Sequence, residues 1–392
     1  MRVIGLMSGT SYDAIDAAAA DLRFEGDELV LQPLGMLSRP YSASLRAAVA
    51  ASLPPASTSL EAVTRLDTGV GQAFAEVAAQ AVEQLCGGQA DLIVSHGQTV
   101  FHWVDSGVVQ GTLQIGQPAW IAEATGTTVV SDLRSRDVAA GGQGAPLVSL
   151  FDVLWLRGRG GTPVALNLGG IANVTVVPPG GDPVAFDTGP ANALIDAVVG
   201  ELTAGRLAFD ADGVMAGRGR IHPELFDRLT AEPYYARPAP KSTGKELFHL
   251  AYLADRMRGL PEIEPDDVVA TVTALTARTV ADAVKAYGGT EVIAAGGGIR
   301  NPALMHRLEW ELGDGLPLRS TDELGLASGA KEAYAFAVLG FLTIHGLPGT
   351  VPSCTGARHA SVLGSITPGR GGLPQTQAAV PPTSLRLDSG AV

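Results

Sequence analysis

VALNLGGIANVTVVPPGGDPVAFD, from Val164 to Asp187, reads as three short apolar strands, 164–167, 172–177 and 184–187, the first two joined by a glycine turn at 167–173. A helix is expected next, over about 191–202. The same order opens the chain. Strands are expected at 2–6, 15–22 and 29–37, around turn segments at 7–13 and 23–27. A helical stretch toward Leu85 follows, introduced by a capping-box pattern at Thr58-Ser59-Leu60-Glu61 and carried by Leu60, Val63, Val70, Phe74, Val77 and Ala81. A buried strand at 92–95, a polar hairpin at 96–116, a helix near 118–124 and a strand at 127–131 complete the first half. The second half continues with helices at 245–258, 266–286, 302–311 and 330–344 and strands at 292–295 and 317–319. Pro265 ahead of Asp266 and Asp267 is a good helix start, by its fixed φ and by the helix dipole. A βββαβαβ order thus occurs twice, and two α/β layers with a ligand cleft between them are expected.

Length and composition agree with two domains. The chain has 392 residues, 46% hydrophobic and 17% charged, with 49 Gly and 25 Pro, within the range of globular proteins rich in turns. A formal charge of −13 leaves no general basic footprint for nucleic acid or an anionic membrane, so an anionic ligand needs a local site. Cys86 and Cys354 are too few for a disulfide framework and lack metal-ligand spacing, which fits a reducing compartment. Polar residues from Ser8 to Asp16 interrupt the apolar amino terminus before a signal-peptide core forms. The charge-free stretch 160–181 is too rich in Gly, Pro and Asn for a membrane helix. A cytoplasmic protein is expected, with a Gly/Pro/Ser-rich tail, 369–392, that is disordered.

The chemistry concentrates in turns. Met7–Asp13 places Gly9 among hydroxyls, and 167–173 places Gly169 and Gly170 at the equivalent point; bare backbone and hydroxyls suit phosphate oxygens. A third glycine segment, Gly296-Gly297-Gly298-Ile299-Arg300-Asn301, follows a strand and precedes a helix. Neither a P-loop nor a GxGxxG fingerprint occurs. Asp187, in FDTGPAN, ends a strand before a helix, where it either projects an acid beside free helix amides or caps that helix. Asp132-Leu133-Arg134-Ser135-Arg136-Asp137 leads into a flexible loop, 139–146, and reads as substrate handling or as a solvated ion cluster. His96 and His102 fit no metal pattern, and no GxSxG elbow is present.

Together these motifs resemble the anhydro-N-acetylmuramic acid kinase family, within the actin/Hsp70/sugar-kinase ATPases. GLMSGTSYDAID, SHGQT, LQIGQPAWIAE, SDLRSRDVAAGGQGAPLV, NLGGIANVT, FDTGPANALID, KSTGKELF, ATVTALTA, GGGIRNPALM and AKEAYAF stand in family order over about residues 3–368. The resemblance implies two RNase H-like (actin-like ATPase) domains around an interdomain cleft. They are expected as 1–135 with about 346–368, and 136–345. It implies ATP with Mg²⁺, a small-molecule sugar, cell-wall (peptidoglycan) recycling, a homodimer, and neither nucleic acid nor membrane as partner. The implied reaction converts ATP, water and 1,6-anhydro-N-acetylmuramic acid into N-acetylmuramic acid 6-phosphate and ADP. O6 of such a sugar is an ether oxygen with no proton, so Asp187 is expected to activate water against C1.

By motif position, Gly9, Thr10, Ser11, Tyr12, Asp13, Ala14, Ile15 and Asp16 form the first phosphate turn, with Asp13 near Mg²⁺ but no metal ligand assigned. Gly169, Gly170 and Asn173 form the second turn, and Gly296, Gly297, Gly298 and Asn301 lie by the adenosine. His96, Gln98, Thr99, Asp132, Arg134 and Glu332 are expected to line the sugar pocket. Ala14 and Ala191 stand where the family has Gly, Lys245 where it has Arg, and Gly329 where it has Asp. An alanine at either position matters only if the backbone there has positive φ. A kinase for another 1,6-anhydro sugar such as levoglucosan, or a nucleotide-switched binding protein, are the competing readings.

Overall fold

A computed structural model describes residues 1–105, 107–244 and 247–388. The chain forms two units, Met1–Arg157 with Ala330–Val392, and Gly158–Gly329.

The first unit begins with β1 (Arg2–Ser8), β2 (Ala14–Glu25) and β3 (Glu28–Pro40), then α1 (Ala43–Ser52) and α2 (Leu60–Cys86). The β4 (Leu92–Asp105) and β5 (Val108–Ile115) hairpin, α3 (Pro118–Thr125), β6 (Val129–Ser131), α4 (Ser135–Ala139) and α5 (Ser149–Leu156) follow. β1 is apolar on both faces, with Val3, Ile4 and Leu6 fully buried, as a central strand must be. It runs antiparallel to β2 and parallel to β4. On one face α2 lays Val70, Phe74, Ala78 and Ala81 over Ile4, Leu6, Ile15, Ala17 and Ile93. Ser59 caps α2 by accepting from the Ala62 amide at 3.1 Å. The capping box read from Thr58 to Glu61 is therefore not formed, and Glu61 pairs with Arg65 one turn on.

The second unit repeats the plan with β7 (Pro163–Leu168), β8 (Ile171–Val176), β9 (Val184–Pro190), β10 (Glu291–Ala295) and β11 (Leu318–Ser320). Its helices are α6 (Asn192–Leu202), α7 (Val214–Arg218), α8 (Pro223–Thr230), α9 (Leu250–Met257), α10 (Pro265–Ala286) and α11 (Pro302–Leu312). Pro265 does occupy the first helical position, with both aspartates in the first turn. α10 is buried nearly all round because it serves two clusters. Ala277, Val280 and Val284 meet the sheet, while Val268, Val272 and Leu275 meet α6, α8 and α9. The helix expected over 245–258 begins only at Leu250, capped by the His249 ring; Lys245 and Glu246 lie outside the described residues.

The chain then returns to the first unit with α12 (Lys331–Ile344), α13 (Pro352–Thr355), β12 (Ser365–Thr367) and β13 (Ser384–Leu387). Counting each unit's core strands in chain order, both sheets run 3-2-1-4-5 with only the second strand reversed. In the first this is β3-β2-β1-β4-β6; in the second, β9-β8-β7-β10-β11. The doubled α/β sheet matches the fold expected from the repeated strand order.

Two boundaries differ from the sequence reading. The units divide after Arg157 and Gly329, not after 135 and 345, because α12 covers the free face of the first sheet. That packing depends on Gly5, where any Cβ would run into the Ala333 carbonyl of α12. The tail is ordered at β13, which pairs parallel with β3 from Glu28 to Leu31 and buries Leu385. Among the described residues no helix is long and apolar enough to cross a membrane. Neither cysteine is in a disulfide; both are buried, and burial pushes each thiol up to about 11.

Candidate active site

In each unit the singled-out residues gather at the carboxyl ends of the parallel strands, where ligands of open α/β sheets bind. In the first unit the turn after β1 closes with the Tyr12 amide donating to the Gly9 carbonyl at 3.1 Å. Tyr12 itself has φ 41°, a conformation L-residues seldom adopt. Asp13 is exposed, and its Oδ1 accepts from the Ser11 hydroxyl at 2.7 Å and the Ala14 amide at 3.1 Å. Ile15 is buried in the core and Asp16 half-buried on β2, while Thr10 and Ser11 are exposed.

Gln98 departs from its expected place in a sugar pocket. It is fully buried and its amide is spent on the turn. Its Nε2 donates to the carbonyls of Gly9 and Thr99, each at 3.2 Å. Its Oε1 accepts from the hydroxyls of Ser8 at 2.8 Å and Tyr41 at 3.3 Å. Two donors and two acceptor positions are all that a carboxamide has. Gln98 is therefore a strut between β4 and the Gly9 turn. Thr99 is half-buried, its hydroxyl accepting from Gln114 Nε2 at 3.2 Å.

His96 is also committed. Its Nδ1 donates to the Gly97 carbonyl at 2.8 Å, and its Nε2 accepts from Arg134 Nε at 2.8 Å. Burial, then the neighbouring Arg134 cation, pulls the imidazole down to about 3, so the ring stays neutral. Both ring nitrogens are thus spent on protein partners, one of them on Arg134. Arg134 also donates to the Gly144 carbonyl at 2.7 Å. Burial pulls its guanidinium down, while Glu332 and Asp137 oppose that shift. Glu332, in the first turn of α12, is pushed up by burial and drawn back by Arg134 and Lys331. The solvated-cluster alternative for 132–137 fails at Asp137. It is fully buried, accepting from the Gly144 amide at 2.7 Å and the Thr355 hydroxyl at 2.8 Å. Asp132 is exposed, has φ 52°, and accepts from the Ser135 hydroxyl.

In the second unit, Gly169 and Gly170 turn between β7 and β8, and Asn173 pairs in register with Asp187 of β9. The first amides of α6 are not available to an anion as the sequence suggested. Ala191 and Ala193 donate to the Gly170 carbonyl and Asn192 to that of Gly169, at 3.0 to 3.1 Å. Asp187 does not cap that helix: the cap position is Ala191, with no side-chain bond. Asp187 Oδ2 instead accepts from the Thr243 amide at 2.9 Å. Gly296, with φ 89°, lies where a Cβ would press on the Leu168 carbonyl at 2.8 Å, which joins the third glycine segment to the second turn. Asn301 caps α11 by accepting from the Leu304 amide at 3.1 Å. Beside this segment Ile299, Arg300, Met305, His306, Arg319 and Ser320 line a cavity of about 600 Å³.

Neither alanine at the family's glycine positions has positive φ. Ala14 lies in β2 without positive φ, and Ala191 has φ −128°. Gly329 precedes α12 in a turn. Tyr41 and Tyr234 contribute to these sites from outside every quoted motif, while Asp137 and Asn192 lie within quoted motifs but have no individual role assigned by sequence. What defines the part each plays is a long-range hydrogen bond. Among the described residues no cluster of three His, Cys, Asp or Glu is arranged to hold a metal.

The family model for anhydro-N-acetylmuramic acid kinase matches residues 1–369. A protein of that name from Rhodococcus erythropolis is 64% identical over 397 residues, covering 99% of this chain and all of the other. One from Streptomyces avermitilis is 66% identical over 373 residues, covering 95% and 96%. One from Streptomyces coelicolor is 63% identical over 391 residues, covering 100% of both. The match takes in both glycine turns, the Asp187 strand and the Glu332 helix. At that extent and identity, the chain belongs to the anhydro-N-acetylmuramic acid kinase family.

Proposed function

We propose that the chain opens 1,6-anhydro-N-acetylmuramic acid with water and phosphorylates O6 from ATP, in cytoplasmic peptidoglycan recycling and as a homodimer. One observation carries the ATP reading. Gly9, Gly169 and Gly297, one in each glycine turn, have neither positive φ nor crowding. The nearest atoms to a Cβ there lie at 3.8, 3.6 and 3.8 Å. The fold itself does not require glycine at these positions, whereas close approach of phosphate oxygens to bare backbone does. The cavity beside Arg300 suits a nucleoside, since a guanidinium stacks on flat rings.

Mg²⁺ fits the donor set at the first turn. It is commonly held by one or two carboxylates, phosphates and its own waters, and Asp13 offers an exposed carboxylate there with half-buried Asp16 nearby in sequence. When bound, it neutralises phosphate charge during transfer. Arg134, Glu332, Asp132 and Thr99 would hold the sugar, with His96 and Gln98 acting behind them. Asp187 takes a proton from water as the water oxygen bonds to C1. The C1–O6 bond breaks, O6 bonds to the γ-phosphorus, and ADP leaves.

The test is turnover in ¹⁸O-water with ATP, Mg²⁺ and either 1,6-anhydro-N-acetylmuramic acid or levoglucosan. Label at C1 of a sugar phosphate is expected with the muramyl substrate. Label only in free phosphate would mean ATP hydrolysis, and no ADP with that sugar would refute the reading. Asp187→Asn is expected to bind both substrates and not turn over.

A further inference from the structure

We propose that Lys241 is a positioning residue for Asp187, locking the segment that holds this carboxylate in place. The proposal rests on the reading of Asp187 as the base. Three contacts to Asp187 come from one stretch of chain, 234–243, which runs beside β9. The Tyr234 hydroxyl donates to the Asp187 carbonyl at 2.8 Å. The Asp187 amide donates to the Lys241 carbonyl at 3.0 Å. The Thr243 amide donates to Asp187 Oδ2 at 2.9 Å. Backbone and carboxylate are thus gripped from one side by residues far away in sequence.

That stretch is the end of a 3₁₀ turn, Pro233–Ala236, followed by irregular backbone, and it needs a fastener of its own. Lys241 supplies it, with Nζ donating to the carbonyls of Tyr235 at 2.9 Å and Tyr234 at 3.3 Å. The same ammonium lies 4.9 Å from the centre of the Tyr234 ring and 5.8 Å from that of Phe186, the residue before Asp187. One cation therefore ties the tyrosine turn, the Lys241–Thr243 segment and the Asp187 strand together. The turn is anchored further out by Arg256 on Glu232 at 2.7 Å and by Tyr235 stacked on Phe248 at 6.0 Å. Side-chain hydrogen bonds to two carbonyls demand a flexible, multiply donating head. Methionine would keep the stem and lose every donor, whereas arginine would keep donors and charge.

Misplacing a catalytic group by about 1 Å lowers rate by on the order of 100-fold without weakening ligand binding. Lys241→Met is therefore expected to lose roughly 10- to 100-fold in kcat, with KM for both substrates nearly unchanged, and Lys241→Arg to recover most of it. Tyr234→Phe removes a single hydroxyl and tests the same grip if Lys241→Met does not fold; it too should lower kcat selectively. Near-wild-type kcat in the folded Lys241→Met, or in Tyr234→Phe where the former does not fold, would overturn the proposal. So would a loss expressed in KM alone. Asp187→Asn is assayed alongside. If it is inactive while Lys241→Met is fully active, the positioning role fails and the base reading stands. If Asp187→Asn turns over, the base reading fails and the positioning role falls with it.

Discussion

Gln98→Leu tests whether Gln98 braces the Gly9 turn or touches sugar. Leucine fills much of the same volume and removes all four hydrogen bonds. The losses are unequal. The Ser8 hydroxyl still has the Ala14 carbonyl at 2.9 Å, and the Gly9 carbonyl keeps the Tyr12 amide at 3.1 Å. Tyr41 is 7% exposed, and its hydroxyl loses one of two partners while keeping Ser8; burial already holds that phenol up to about 12. Each of the four lost bonds costs about 0.5–1.5 kcal/mol, toward the lower end where the group keeps a second partner. The sum, about 3 kcal/mol, corresponds to a fall in Tm of roughly 6–12 °C for a domain of this size. Calorimetry without ligands should show that fall, and kinetics should show a raised KM for ATP, because the Gly9 turn is no longer braced. Tyr41→Phe should make Gln98→Leu less damaging, since one of the four lost bonds is then already absent. An unchanged Tm with a raised KM for the sugar alone would refute the strut and restore Gln98 to the sugar pocket.

His96 makes stability depend on acid. Its folded pKa is depressed to about 3 from 6.5, so the neutral ring favours folding fully above 6.5. That contribution is lost at about 1.4 kcal/mol per pH unit as pH falls from 6.5 toward 3. Urea melts at pH 7 and 5.5 should show a steeper loss for the wild type than for His96→Gln; equal slopes would contradict the buried neutral ring. Deleting residues after Pro368 removes β13, including Leu385 and the Arg386 bonds to Glu25 and Glu28. The expected loss is about 2–4 kcal/mol, mostly from leucine burial because exposed ion pairs contribute little. Turnover should be retained at a temperature where the truncated chain is folded.

What was legible in the sequence had a short range. Strands β1, β7 and β10 are apolar runs ended by glycine, and those glycines survive into the structure as turns. The doubled strand order was therefore visible from pattern alone. What was hidden depends on partners far along the chain. No local signal says that Gly5 exists to admit the backbone of α12 more than 300 residues later, so the unit boundary fell wrongly at 345 and not at 329. Likewise SHGQT announces polar residues at a strand end, but whether they face a ligand or a neighbour depends on what fills their hydrogen bonds. Arg134 fills one side of His96, and Ser8, Tyr41 and Gly9 fill Gln98. A polar motif at a strand end thus marks a site reliably and assigns roles within it poorly, because a strut and a ligand-binding residue need the same chemistry. The residues that the fold leaves underemployed are more informative. Gly9 and Gly169 do nothing for the chain that alanine could not do, and that slack, more than any filled hydrogen bond, points to where a ligand's phosphates belong.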